Sequence, residues 1–229
     1  MTNNPIYCAI DTNNIKHALT LIEKIRESIG GIKLGLEFYT HCGIEGINKI
    51  KAIGLPIFID LKLLDIPNTT KSALQGILNL KPEFTTLHVS GGSKMIKECV
   101  NVKNSCQSKT NLIGVTVLTS FDEDGIKELG INNSIENQVL NLARLAHENN
   151  LDGIVCSPQE IRRVKYETEN NLKLIVPGIR NIDDKTNDQK RTMNASDAIN
   201  AGADILVIGR PITMANDPAE AAYKIFKSL

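Results

Sequence analysis

The chain has 229 residues, long for one ordinary domain but the usual size of a single α/β barrel, and its 26 basic and 26 acidic side chains cancel to a formal net charge of zero. With only 4% aromatic residues there is neither a basic footprint for nucleic acid nor a platform of stacking rings, so the expected partner is a small molecule. The apolar runs fall short of the ~20 residues that span a bilayer, and "MTNNPIYCAID" enters a strand without a charged-then-apolar signal region, so the expected location is the cytoplasm.

Along the chain, short runs rich in Ile, Val, Leu and Thr recur about every 20 to 30 residues. They are "IYCAID", "GIKLG", "PIFIDLK", "FTTLHVS", "LIGVTVLT", "DGIVCS", "KLIVPGIR" and "ADILVIGR". Between them lie segments of helical period: 15–28, 44–52, 70–80, 95–102, 136–149, 158–166 and 195–201, with 218–227 after the last run. Strands alternating with helices imply a parallel sheet, and eight of each favour the closed (β/α)8 barrel, one domain over 1–229. No G-x-G-x-x-G follows the first strand, so a dinucleotide-binding half is not supported. The polar stretch 180–193 follows the seventh strand; it reads as a linker or as a lid, and its position after a strand favours the lid.

Cys8, Cys42, Cys99, Cys106 and Cys156 form an odd, scattered set without a C-x-x-C pair, and are expected as reduced thiols, mostly packed. The four histidines make no H-x-x-x-H pair, so no built-in metal site is expected from them, although a carboxylate-bound magnesium stays open.

Barrel chemistry sits at the C-terminal ends of the strands, where the loops converge on the axis. Those ends carry Asp11, Lys33, Asp60 with Lys62, His88, Thr119, Ser157, Arg180 and Arg210. In "FIDLKLLDIPNT", alternation puts Phe58, Asp60 and Lys62 on one face and Ile57, Ile59 and Leu61 on the other. The apolar face suits the helices, so the charged face must line the interior. Asp60 and Lys62 start about 6.6 Å apart along the strand, and Lys33 should point inward from the neighbouring one. Such an array is either a structural ion-pair network or a site, and charges kept at a strand's C-terminal end favour the site. Asp65 is a loop carboxylate beyond the strand; Pro67 ends the extended run, and Asn68 or Thr69 could cap the next helix.

"DILVIGRPI" ends its strand in Gly209 and Arg210, a bare backbone N–H and a guanidinium where barrels commonly bind phosphate. Arg180 in "PGIR" and Gln189 in the polar stretch could donate to an oxyanion. Thr119 could meet a polar ligand edge or cap the following helix.

Taken together, "DLKLLDIPNT", Lys33 in "KLG", "PGIR" and "VIGRPI" resemble the orotidine 5′-phosphate decarboxylases in their bacterial form, over nearly the whole chain. The resemblance implies a homodimeric (β/α)8 barrel that converts orotidine monophosphate to UMP and CO2 without metal or organic cofactor. It implies that Lys62 protonates C6, that Asp60 lies beside the substrate carboxylate, and that Lys33 holds Asp60 and the ribose. Asp11 would also bond the ribose and Thr119 the pyrimidine. Gln189, Gly209 and Arg210 would bind phosphate, and Arg180 would join the closing lid. Asp65 and Thr69 would serve the neighbouring subunit's site. Related phosphosugar enzymes share the D-x-K-x-x-D strand but use magnesium; "DIPNT", "PGIR" and "GRPI" point away from them.

Overall fold

All eight apolar runs contain a strand of a closed parallel barrel, and β8 pairs back onto β1. The strands are β1 Ile6–Ala9, β2 Gly31–Gly35, β3 Ile57–Leu63, β4 Phe84–His88, β5 Asn111–Val115, β6 Gly153–Val155, β7 Lys173–Val176 and β8 Ile205–Ile208. The structure, a computed structural model, describes residues 4–180 and 192–229. The (β/α)8 expectation is therefore met, with helices α1 Ile15–Ile25, α2 Leu36–Lys51, α3 Pro67–Leu78, α4 Gly92–Ser105, α5 Glu123–Glu128, α6 Ile135–Glu148, α7 Ile161–Glu167, α8 Ala195–Ala201, α9 Arg210–Thr213 and α10 Pro218–Lys227. Among the described residues no helix is long and apolar enough to cross a membrane.

Strand alternation divides the apolar side chains into two cores. Ile57 and Ile59 join the large core between barrel and helices, whereas Phe58 turns inward with Tyr7, Phe84, Ile113 and Ile175. Phe84 meets Tyr7 and Phe58 edge-on, with ring centroids 5.5 and 5.8 Å apart. The Tyr7 hydroxyl donates to Glu83 Oε2 at 2.7 Å, which gives the ring's polar tip a partner. This layer fills the barrel below Asp60, so polar chemistry is confined to the upper end.

At the opposite mouth, charge closes the fold rather than making a site. Asp152, just ahead of β6, accepts from Leu112 N at 2.7 Å and Lys103 Nζ at 2.6 Å. Asp204, just ahead of β8, repeats this with Leu174 N at 2.7 Å and Lys165 Nζ at 2.9 Å. Each carboxylate satisfies a backbone donor at the start of the preceding strand.

Several boundaries differ from expectation. α2 begins at Leu36, eight residues before the expected start, because Gly43 (φ 59) kinks the helix and breaks its apolar period. The short helices α5 and α9 carry too few apolar positions to show a period. The run "VTVLT" leaves the sheet after Val115, where Thr116 Oγ1 donates to Val155 O at 2.8 Å. All five cysteines are thiols, with Cys8, Cys99 and Cys156 buried, Cys42 half-buried and Cys106 exposed.

Candidate active site

Register brings the charges together. Lys33 pairs with Phe58 and Gly35 with Asp60 across the β2–β3 ladder, so Lys33 and Asp60 emerge one layer above the aromatic plug. Both are buried, at 8% and 7% exposure. Lys33 Nζ lies 3.4 Å from Asp60 Oδ2 and 3.6 Å from Asp11 Oδ1, so one ammonium joins two carboxylates. A Cβ on Gly35 would come within 2.9 Å of Lys33 Nζ and 3.3 Å of Asp11 Oδ1, so its missing side chain is room for this pair.

Lys62 reaches the same aspartate by a different route from the one alternation predicts. Its φ is 52°, outside the extended region, and the β3–β4 register shifts between Ile59 and Leu63. A backbone turned this way in a lysine is strained and marks a locally over-determined position. Lys62 Nζ nevertheless sits 2.8 Å from Asp60 Oδ2. The Lys62 backbone N–H donates to Thr86 Oγ1 at 2.9 Å, and the Thr86 hydroxyl donates to Asp60 Oδ1 at 2.9 Å. Asp60 thus has donors on both oxygens.

The charges sustain one another. Burial alone would push the Asp60 carboxyl up, but Lys33 and Lys62, with hydrogen bonds from Lys62 and Thr86, outweigh it and hold the pKa below 3.8. Burial alone would likewise pull Lys33 down, yet Asp60 and Asp11 raise it above 10.5. His88, half-buried at the end of β4, is held below 6.5 by burial and the Lys62 charge, against the pull of Asp60.

Above this array opens a cavity of about 500 Å³. Its lining contains Asp11, Lys33, Asp60, Lys62, Thr119, Arg180, Gly209 and Arg210, so eight candidate residues named from the sequence meet in one space. Gly209 follows β8 directly and Arg210 opens α9, beside the strand that leads to Asp11. Arg180 is buried and its Nη1 donates to Ile179 O at 2.7 Å. The base of the polar stretch is tied by an Ile179–Met193 bridge, with Arg180 N donating to Met193 O at 3.0 Å. Gln189 lies outside the described residues.

Asp65 and Thr69 are exposed and are not among the residues lining this cavity. Asp65 Oδ1 accepts from Ile66 N at 2.6 Å, and its carbonyl accepts from Thr70 Oγ1 at 3.2 Å. Neither Asn68 nor Thr69 caps α3: Ile66 holds the cap position with Pro67 following, because proline needs no N–H partner in the first turn. Thr119 lies beyond β5 rather than at its end, and it does not cap the next helix. Asp122 does so, accepting from Gly125 N at 2.9 Å.

Residues 4–225 match the family described as orotidine 5′-phosphate decarboxylase / HUMPS. The chain belongs to this family. A curated orotidine 5′-phosphate decarboxylase from Ehrlichia chaffeensis is 48% identical over 230 residues, covering 100% of this chain and 98% of that one. The orotidine 5′-phosphate decarboxylase of Paramagnetospirillum magneticum is 44% identical over 227 residues, 97% of each chain. Among solved structures, orotidine 5′-phosphate decarboxylase from Lactobacillus acidophilus superposes with a TM-score of 0.85 at 32% identity, covering 98% of both chains. Two residues beside the charged array, Gly35 and Thr86, escaped sequence reasoning. Both lie at even spacing from inward-facing residues, Gly35 from Lys33 and Thr86 from Phe84 and His88, and that period was the signal available.

Proposed function

We propose that the chain decarboxylates orotidine 5′-monophosphate to UMP and CO2, the activity its curated relatives are named for, without metal or organic cofactor. The carrying observation is the Lys33–Asp60–Lys62 array in the wall of a cavity that also holds Gly209 and Arg210. Loss of CO2 leaves an electron pair on C6 that the pyrimidine π-system cannot delocalise, so stabilisation must be electrostatic and local. The Lys62 ammonium favours that carbanion and then transfers its proton to C6, completing UMP; solvent restores the proton to the amine. Asp60 lies against the substrate carboxylate and disfavours the charge that is about to leave. Only the difference between ground state and transition state accelerates the step. Donors already occupy both Asp60 oxygens, which suits a carboxylate fixed by protein cations.

The remaining residues bind. Gly209 N–H and the Arg210 guanidinium hold the phosphate, with Gln189, while Arg180 joins the lid that closes over it. Asp11 and Lys33 hold the ribose and Thr119 meets the pyrimidine. The cavity shared by Asp11, Lys33, Thr119, Arg180, Gly209 and Arg210 supports the roles of those six. The enzyme works as a homodimer in which Asp65 and Thr69 complete the neighbouring subunit's site. Leu64 and Ile66 flank Asp65 at 55% and 68% exposure, apolar surface that a second copy would cover.

The test is the absorbance change of orotidine monophosphate with purified protein in excess EDTA. Conversion to UMP is the expected result. Conversion only on adding magnesium would remove the cofactor-free mechanism, and no conversion by folded, UMP-binding protein would remove the enzymatic reading.

A further inference from the structure

Thr86 has no part in the binding or chemistry above, yet it touches both halves of the central pair. It is fully buried on β4, on the inward face with Phe84 and His88. The direction of its two hydrogen bonds is forced by their partners: the Lys62 backbone N–H can only donate, and an ionised carboxylate can only accept. The single hydroxyl proton is therefore committed to Asp60 Oδ1, and a lone pair to Lys62 N. This leaves Oδ2 to the two ammonium groups. It also gives a partner to the Lys62 N–H at the point where the β3–β4 register slips and Lys62 turns to φ 52°.

We propose that Thr86 is the positioning residue of the Asp60–Lys62 pair. Its hydroxyl holds the Lys62 backbone in the left-handed conformation and fixes the rotation of the Asp60 carboxylate, so that one oxygen faces a neutral donor and the other both cations. Without it the carboxylate is free to turn, Lys62 loses the anchor of its strained backbone, and the ammonium drifts from the reacting carbon. Substrate binding, which rests on other side chains, is largely spared. The kinetic part of this role presupposes the decarboxylase reaction; the geometric part does not.

The neighbouring residue supplies the control. Thr85 faces the opposite side of β4, is also fully buried, and has no hydrogen-bond partner for its hydroxyl among the described residues. Thr→Val is the same chemical change at both positions. Thr86→Val is expected to lower kcat about 10²-fold, the scale of a small misplacement of catalytic groups, while KM moves less than about threefold. Thr86→Ser, which keeps the hydroxyl, should recover most of the loss, and Thr85→Val should match wild type. The acid limb of the Thr86→Val rate profile should also move to higher pH, because a hydrogen bond favouring ionised Asp60 is gone. If Thr86→Val does not fold, Thr86→Ala carries the same expectations. Wild-type kcat in either variant, or a Thr86→Ser enzyme as slow as Thr86→Val, overturns the proposal. A crystal structure of the variant decides the geometric claim even if wild type fails to turn over orotidine monophosphate, which would defeat only the decarboxylase reading. Asp60 turned or Lys62 out of the left-handed region supports the role, and both unmoved refutes it.

Discussion

Lys62 Nζ and Lys33 Nζ converge on the same oxygen, Asp60 Oδ2, at 2.8 and 3.4 Å, from two adjacent strands. Two cations share one buried anion, and Asp11 partly balances the excess through its contact with Lys33. Both lysines line the cavity, and Lys62 is the more exposed of the two, at 30% of its side chain against 10% for Lys33.

Lys33 should therefore matter for folding as well as for rate. Replacing Lys33 with Met removes one partner of a buried pair and leaves Asp60 with Lys62 alone, a loss of about 3 kcal/mol on the scale of broken buried pairs. Urea denaturation of Lys33→Met checks this; an unchanged midpoint would mean that the second lysine suffices.

Stability against pH follows from the signs of the shifts. Asp60, held below 3.8, contributes stability above its unfolded pKa and loses it as pH falls through the lower folded value. Lys33, raised above 10.5, contributes below its unfolded pKa and loses it as pH rises through the folded one. His88 is held below 6.5, so on acidification the unfolded chain takes up its proton before the native one, and stability falls through that window. Denaturation midpoints at about pH 5 and about pH 7 should differ less in His88→Asn than in wild type. Equal differences would assign the acid-side loss to other groups.

Gly35→Ala separates activity from stability in the opposite sense to Lys33→Met. The new Cβ meets the flexible end of Lys33 at 2.9 Å, so the fold adapts at little cost, but what moves is the ammonium. The expectation is a kcat/KM loss of about tenfold or more, with a melting temperature close to wild type. Wild-type kinetics would show that Lys33 has slack.

If Asp65 completes the neighbouring subunit's site, inactive subunits should complement one another. Lys62→Ala and Asp65→Ala subunits, each inactive alone, should regain about a quarter of wild-type activity when mixed equally and re-equilibrated, since half the dimers would be mixed and each would hold one intact site. No recovery in verified mixed dimers would place Asp65 in its own subunit's site.

How far the sequence is legible depends on the residue. The eight strands follow from the recurrence of apolar runs, and the inward face of Asp60 follows from Phe58 and Ile59, because alternation is strict there. Alternation fails at Lys62, where a register shift and φ 52° replace the extended backbone; a tertiary contact with Thr86 governs that position, and no local pattern encodes it. The β-prone residues of "VTVLT" read as strand although the ladder ends at Val115. Asp65 reads as a loop carboxylate beyond the strand, and it is not among the residues that line this chain's own cavity.

The most direct measurement is turnover and UMP affinity of Lys62→Ala side by side. If the Lys62 ammonium stabilises and protonates the C6 carbanion, turnover falls by at least about 10³-fold while UMP still binds within about tenfold of wild type, because the phosphate and ribose contacts remain. Near-normal turnover would take the proton donor away from Lys62 and contradict the mechanism.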